Sequence, residues 1–111
     1  MTPVPPGEPS AYAGRVLAVV AQIPPATVMS YGDVAEFMGE GSARAVGRVL
    51  FAWGSNVPWQ RVVMSTGAPK PHGRDEHLAR LRDERTPLTA DGSRVDMRRA
   101  RWDGGPGDVP R

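Results

Sequence analysis

The sequence predicts a mostly helical, small α+β domain of winged-helix-like class, organised around a helix-turn-helix. Three observations predict this. Apolar residues recur at helical spacing from Tyr12 to Ile23. Two more short helical patterns are separated only by the turn Gly39-Glu40-Gly41. A single short β-rich run, Arg61-Val62-Val63-Met64, follows them.

Each element has a local cause. Residues 1–9 carry four prolines and read as an extended leader. Ser10 suits an N-cap, and Tyr12, Val16, Val19, Val20 and Ile23 form one apolar stripe, ended by Pro24-Pro25. Thr27-Val28-Met29 is a short extended piece. Ser30 caps the next helix, with Asp33 in a capping-box position. That helix runs from about Tyr31 to Met38 and offers Val34, Ala35, Phe37 and Met38 to the core, with Gly39 at its left-handed end. Ser42 caps a third helix reaching about Trp53, and Gly54-Ser55-Asn56 breaks it. The loop bearing Pro58 leads into the strand and the turn Ser65-Thr66-Gly67. Pro69 to Arg74 reads as a mobile loop, and Glu76 to Arg85 as a charged fourth helix with a buried stripe through His77, Leu78 and Leu81. The segment Val95–Trp102 is expected to pack back on the domain, and 104–111 to form a flexible tail. The domain itself spans 10–103.

Composition narrows the function. A chain of 111 residues makes one small domain, and a 40% hydrophobic share suits a globular one. No apolar run approaches the ~20 residues of a membrane span, and the N-terminus lacks the pattern of a signal peptide. The expected location is cytoplasmic, associated with the nucleoid when the protein is on DNA. The absence of cysteine excludes disulfides, thiolate–zinc sites and thiol catalysis. His72 and His77 lack a convincing third ligand, so neither a metal nor another cofactor is expected.

The net charge is only +2, yet no Asp or Glu occurs from Ser42 to Arg74. That window holds Arg44, Arg48, Arg61, Lys70 and Arg74, a segregated positive field of the kind a nucleic-acid face needs. On the third helix Ser42, Ala43, Ala45 and Gly47 are small while Arg44 and Arg48 are long. Two readings fit: tight helix–helix packing, or a surface that brings the backbone close to a duplex and lets an arginine enter the base stack. Tyr31 and Trp59 are each open to two readings as well. Either is an ordinary core or surface aromatic, or Tyr31 meets a phosphate at a helix N-terminus and Trp59 walls a pocket that stacks a base.

Pro58-Trp59-Gln60-Arg61-Val62 resembles the Pro-Cys-His-Arg-Val loop of the O6-alkylguanine-DNA alkyltransferases. Ser30-Tyr31-Gly32-Asp33-Val34-Ala35 and Ala43-Arg44-Ala45-Val46-Gly47 resemble flanking motifs of the same family. Trp59 stands in the place of the alkyl-accepting cysteine, the mark of the alkyltransferase-like proteins. The stretch Val95–Gly104 also resembles their C-terminus. The resemblance spans about Tyr12 to Trp102. It implies the fold of the alkyltransferase C-terminal domain and a non-enzymatic protein that binds O6-alkylguanine in duplex DNA from the minor groove. The lesion is flipped, left intact and flagged to the damage-recognition proteins of nucleotide excision repair. The protein is expected to act as a monomer.

The resemblance makes Arg44 the intercalating finger and Tyr31 the residue that presses the phosphate beside the flipped nucleotide. Ser42, Ala43, Ala45, Gly47 and Arg48 complete the DNA face. Pro58, Trp59, Gln60, Arg61, Val62 and Arg74 form the lesion pocket, with Arg61 bracing the loop. Arg74 is aligned with a cation that meets the flipped base, and Lys70 and His72 remain alternatives for that task. Gln60 and Trp53 depart from the enzymes' histidine and asparagine. The rival reading is a sequence-specific or architectural helix-turn-helix protein with no lesion preference.

Overall fold

The computed structural model describes residues 7–105. The expectations for 1–6 and 106–111 lie outside the described residues. The chain forms α1 (Ala11–Gln22), β1 (Met29–Ser30), α2 (Tyr31–Met38), α3 (Ala43–Trp53), β2 (Val62–Val63), α4 (Arg74–Asp83) and α5 (Met97–Ala100). Two single 3₁₀ turns, Gly54–Asn56 and Trp59–Arg61, bridge α3 to β2. Helices dominate, as the sequence predicts; the predicted strand shortens to Val62–Val63 and pairs with a second one, Met29–Ser30, where the sequence predicts only an extended piece at 27–29.

Local signals set the helix starts. Ser10 accepts from the Ala13 N–H at 3.1 Å, and Ser42 from Ala45 N–H at 3.1 Å. Ser30 and Asp33 close a full capping box at 2.9 and 3.0 Å. These contacts satisfy N–H groups that have no partner inside a helix. The α2–α3 turn needs glycine twice. Gly39 ends α2 at φ +73°, and Gly41 sits at φ +80° with its Cα facing Tyr12, so an added Cβ would fall 2.1 Å from the Tyr12 hydroxyl.

The core has two parts. Val16, Val20, Ile23, Val34, Val46 and Leu50 join α1, α2 and α3, with Trp102 returning from the C-terminal segment. Val28, Val63, Leu81, Val95 and Ala100 form the second part. The short parallel pairing of β1 with β2, Met29 to Val62 and Ser30 to Val63, fixes the start of α2 beside the loop that carries Trp59. The C-terminal segment is tied on by Trp102 N–H to the Val28 carbonyl at 2.8 Å.

Three details differ from expectation. α4 starts at Arg74 rather than Glu76, because Gly73 adopts the left-handed conformation at its N-cap. Phe37 is 46% exposed, not buried. The short α2 turns Val34 and Ala35 inward, and Phe37 lies against Trp102 at the edge, ring centroids 6.2 Å apart. Gly104 and Gly105 belong to the packed part of the domain: Gly104 lies against Phe37, and the Gly105 carbonyl accepts from the Trp102 indole at 2.9 Å.

Candidate nucleic-acid interface

α3 buries Val46, Val49 and Leu50 and turns Ser42, Ala43, Arg44 and Arg48 outward. Arg44 and Arg48 stand one turn apart, and Phe51 continues their stripe at 69% exposure. Ala45 and Gly47 keep the helix surface low beside the guanidiniums. Neither arginine enters an ion pair among the described residues. Tyr31, the first residue of α2, lies against Gly47, whose Cβ position would be 4.0 Å from the ring. Burial raises the Tyr31 phenol above its ordinary pKa, so it stays a neutral donor at physiological pH.

A cavity of about 620 Å³ opens beside this face. Tyr31, Gly47, Leu50 and Phe51 form one wall. Trp59, with Lys70, Pro71, His72 and Gly73 and with Glu76 of α4, forms the other. The volume lies within the range that holds small ligands.

Trp59 is 7% exposed and fixed by charged and aromatic neighbours. Lys70 Nζ is 5.1 Å and the Arg80 guanidinium carbon 5.2 Å from its ring centroid, both within cation–π range. The His77 ring lies 5.3 Å away, tilted by 59°. His77 is fully buried and ties the Lys70 loop to the Trp59–Arg61 turn. The Lys70 N–H donates to its Nδ1 at 3.0 Å, so Nε2 carries the proton and donates to the Gln60 carbonyl at 2.9 Å. Burial lowers the His77 pKa, and the Gln60 hydrogen bond offsets this only in part.

Of the six residues assigned to the lesion pocket, Trp59 alone lines this cavity. Pro58 is the N-cap of the Trp59–Arg61 turn, and Val62 lies in β2 within the core. Gln60 turns its side chain away, donating to Glu84 Oε2 at 3.2 Å. Arg61 is a brace: it donates through Nε to Glu84 at 3.0 and 3.1 Å, through Nη2 to the same carboxylate, and through Nη1 to the Ile23 carbonyl at 2.8 Å. Arg74 does not line this cavity. Its guanidinium donates to the Ser93 carbonyl at 3.2 Å, while Lys70 and His72 occupy the wall in its stead. The physical reason is that Gly73 starts α4 at Arg74 and leaves 70–73 as the facing loop. Trp53 packs on the first core cluster.

Leu50, Phe51, Pro71, Glu76 and His77 were not singled out from sequence as site residues. Phe51 had a signal: it falls seven residues after Arg44, on the exposed stripe of a helix whose apolar face is already supplied. His77 had none beyond its buried helical register.

The model of the 6-O-methylguanine DNA methyltransferase DNA-binding domain matches residues 11–86. The chain belongs to this family. The DNA base-flipping protein of Escherichia coli K12 is 39% identical over 97 residues, which cover 79% of this chain and 71% of that protein. The DNA base-flipping protein of Vibrio parahaemolyticus is 34% identical over 97 residues, covering 79% and 92%. Among solved structures, S. pombe Atl1 in complex with damaged DNA containing O6-carboxymethylguanine superposes with a TM-score of 0.74 at 25% identity, over 86% of this chain and 98% of that one. Mycobacterium tuberculosis OGT in complex with DNA gives 0.63 at 30% identity, over 73% and 55%. The part of this methyltransferase-family domain matched by the model holds α1 to α4 and both walls of the cavity, whereas α5 and Trp102 lie beyond it.

Proposed function

We propose that this protein recognises O6-alkylguanine in duplex DNA by flipping the base into the Trp59 cavity, and that it leaves the alkyl group in place. One observation carries the reading: a ligand-sized cavity opens between Tyr31 and Phe51 on one side and Trp59 and Lys70 on the other, next to two exposed arginines. Arg44 is the side chain that fills the stack vacated by the flipped base. Tyr31, at the start of α2, meets the adjacent phosphate. Ser42, Ala43, Ala45, Gly47 and Arg48 line the groove contact, and Trp59 offers the base an apolar face. Aromatic–base stacking is worth roughly 1–3 kcal/mol, comparable with the few kcal/mol that flipping costs.

The sequence supports binding without chemistry. Alkyl transfer needs a strong nucleophile, and the chain has no thiol. An indole is not an equivalent acceptor at neutral pH. The Gln60 side chain is held by Glu84, away from the cavity. The bound lesion, still alkylated, is then handed to nucleotide excision repair by a monomeric protein; this step rests on the family resemblance.

The test is titration into two fluorescent duplexes that differ by one O6-methylguanine, at several salt concentrations. The modified duplex is expected to bind more tightly at every salt concentration, with both affinities falling as phosphate contacts release counterions. Equal affinity would return the protein to the helix-turn-helix class without lesion preference. Loss of methyl from the duplex would overturn the non-enzymatic reading.

A further inference from the structure

A second cleft, of about 330 Å³, lies between α2 and the C-terminal segment. Its walls combine Phe37 and Trp102 with Asp33, Glu36, Asp103 and Arg101. Phe37 is among the few large apolar side chains left exposed, and its ring meets Trp102 at a 39° tilt. Three carboxylates against one guanidinium leave the cleft with a net negative charge. The charges are not mutually cancelled. Asp33 is taken up by Arg101, whose Nε donates at 2.9 Å and whose Nη2 donates to the other oxygen. Burial alone would raise the Asp33 pKa; the Arg101 and Ser30 hydrogen bonds outweigh it and hold the carboxyl below its ordinary value. Asp103 accepts the Gly105 N–H at 2.9 Å through one oxygen, and Glu36 is exposed.

We propose that this cleft is a docking site for an arginine side chain presented by a basic segment of a partner protein. The charge selects a cation. The exposed Phe37 ring, backed by the buried Trp102, selects a planar one that stacks, which favours guanidinium over ammonium. Arg101 illustrates the fit from within the chain, since its fork grips Asp33 through two nitrogens at the same cleft.

The site is placed to work while DNA is bound. At about 100° per residue, Asp33, Glu36 and Phe37 centre roughly 190° around α2 from Tyr31. The helix that opens the DNA face with one side thus presents the cleft with the other. Only this simultaneous occupancy rests on the DNA reading; the cleft stands independently of it.

The probe is acetyl-Gly-Arg-Gly-amide, with the citrulline peptide as its uncharged isostere. It is titrated into the isotopically labelled full chain and followed by the Trp102 indole N–H and Phe37 ring resonances. Saturable shifts at these two residues are expected with the arginine peptide and not with the citrulline one. Glu36→Gln, an exposed change outside the DNA face, should weaken the arginine peptide about three- to fivefold, the range of an exposed ion pair. Equal shifts with both peptides, or no saturable shift at Trp102, would overturn the proposal. The titration is repeated on the complex with the O6-methylguanine duplex. Unchanged peptide affinity supports two opposed faces, and competition between peptide and duplex overturns that part. Failure of the duplex to bind at all would count against the DNA reading alone, because the free-protein titration reads the cleft by itself.

Discussion

Replacing Glu84 with alanine removes the anchor of the Trp59 turn. The Glu84 carboxylate receives Arg61 Nε at 3.0 and 3.1 Å, Arg61 Nη2, and Gln60 Nε2 at 3.2 Å. The two side chains of the ion pair are only 15% and 16% exposed. In Glu84→Ala the Arg61 guanidinium keeps the Ile23 carbonyl at 2.8 Å and loses its counter-charge. Removing one partner of a fully buried pair costs about 3–5 kcal/mol; the residual solvent contact here brings the expectation to about 2–3 kcal/mol. At about 2.1 cal/mol/K of unfolding entropy per residue, a chain of 111 residues should lose roughly 9–13 °C in Tm. Urea unfolding and calorimetry measure this, with an unchanged m value showing that the comparison is sound. Glu84→Gln keeps oxygen acceptors and should lose about half as much as alanine. Glu40→Ala is the control. It breaks the Arg15–Glu40 pair, 2.6 Å long but open to solvent, and should leave the midpoint unmoved. If Glu84→Ala and Glu40→Ala proved equally mild, the claim that Arg61 braces the loop through a shielded pair would fail.

Four further outcomes test the site. Arg44→Ala should weaken binding to an O6-methylguanine duplex at least tenfold, about 1.4 kcal/mol, with little change in Tm; undiminished affinity in the paired-duplex titration would remove it as the stack-filling residue. Phe51→Ala should cost about 1–3 kcal/mol of lesion affinity if the exposed ring stacks on the flipped base, whereas an equal loss on unmodified duplex would make Phe51 a general groove contact. Trp59→Cys should not restore brisk alkyl transfer, because the Gln60 side chain is held by Glu84 and both His77 nitrogens are engaged; rapid stoichiometric methylation of the variant, seen by mass spectrometry, would contradict this. The pH dependence of unfolding should show His77. Its folded pKa is lowered, so its contribution is complete above the unfolded value of about 6.5 and is lost as pH falls from there through the folded value, where the unfolded chain binds the extra proton. Asp91, lowered to about 2, titrates well below that window, so His77→Leu should flatten the slope between pH 5 and 7.

Much of the fold was legible because its signals are local. Ser10, Ser30 and Ser42 each cap a helix by reaching three residues ahead, and Gly39 ends α2 within its own turn. The apolar stripe of α1 needs nothing beyond its period. Phe37 shows where such reasoning stops: the period permits it in the core, but Trp102, far along the chain, draws it to an edge.

The candidate site divides in the same way. Tyr31, Arg44 and Trp59 were legible through motifs in order, and the lack of any thiol follows from composition alone. The cation opposite Trp59 was not. Sequence left Arg74, Lys70 and His72 open; the left-handed Gly73 starts α4 at Arg74, which places Lys70 and His72 on the cavity and Lys70, with Arg80, over the indole. Gln60 sits beside Trp59 in the chain, yet its side chain belongs to Glu84, 24 residues later. By itself, then, the sequence determined the first three helices, their serine caps, the helix-turn-helix and the absence of a thiol. Those depend on backbone groups and side chains within a turn or two of one another. The tertiary structure decided which side chains face the cavity, because its walls come from α2, α3 and the 70–73 loop. Their relative placement is set by burying the two core clusters together, and no single segment encodes that.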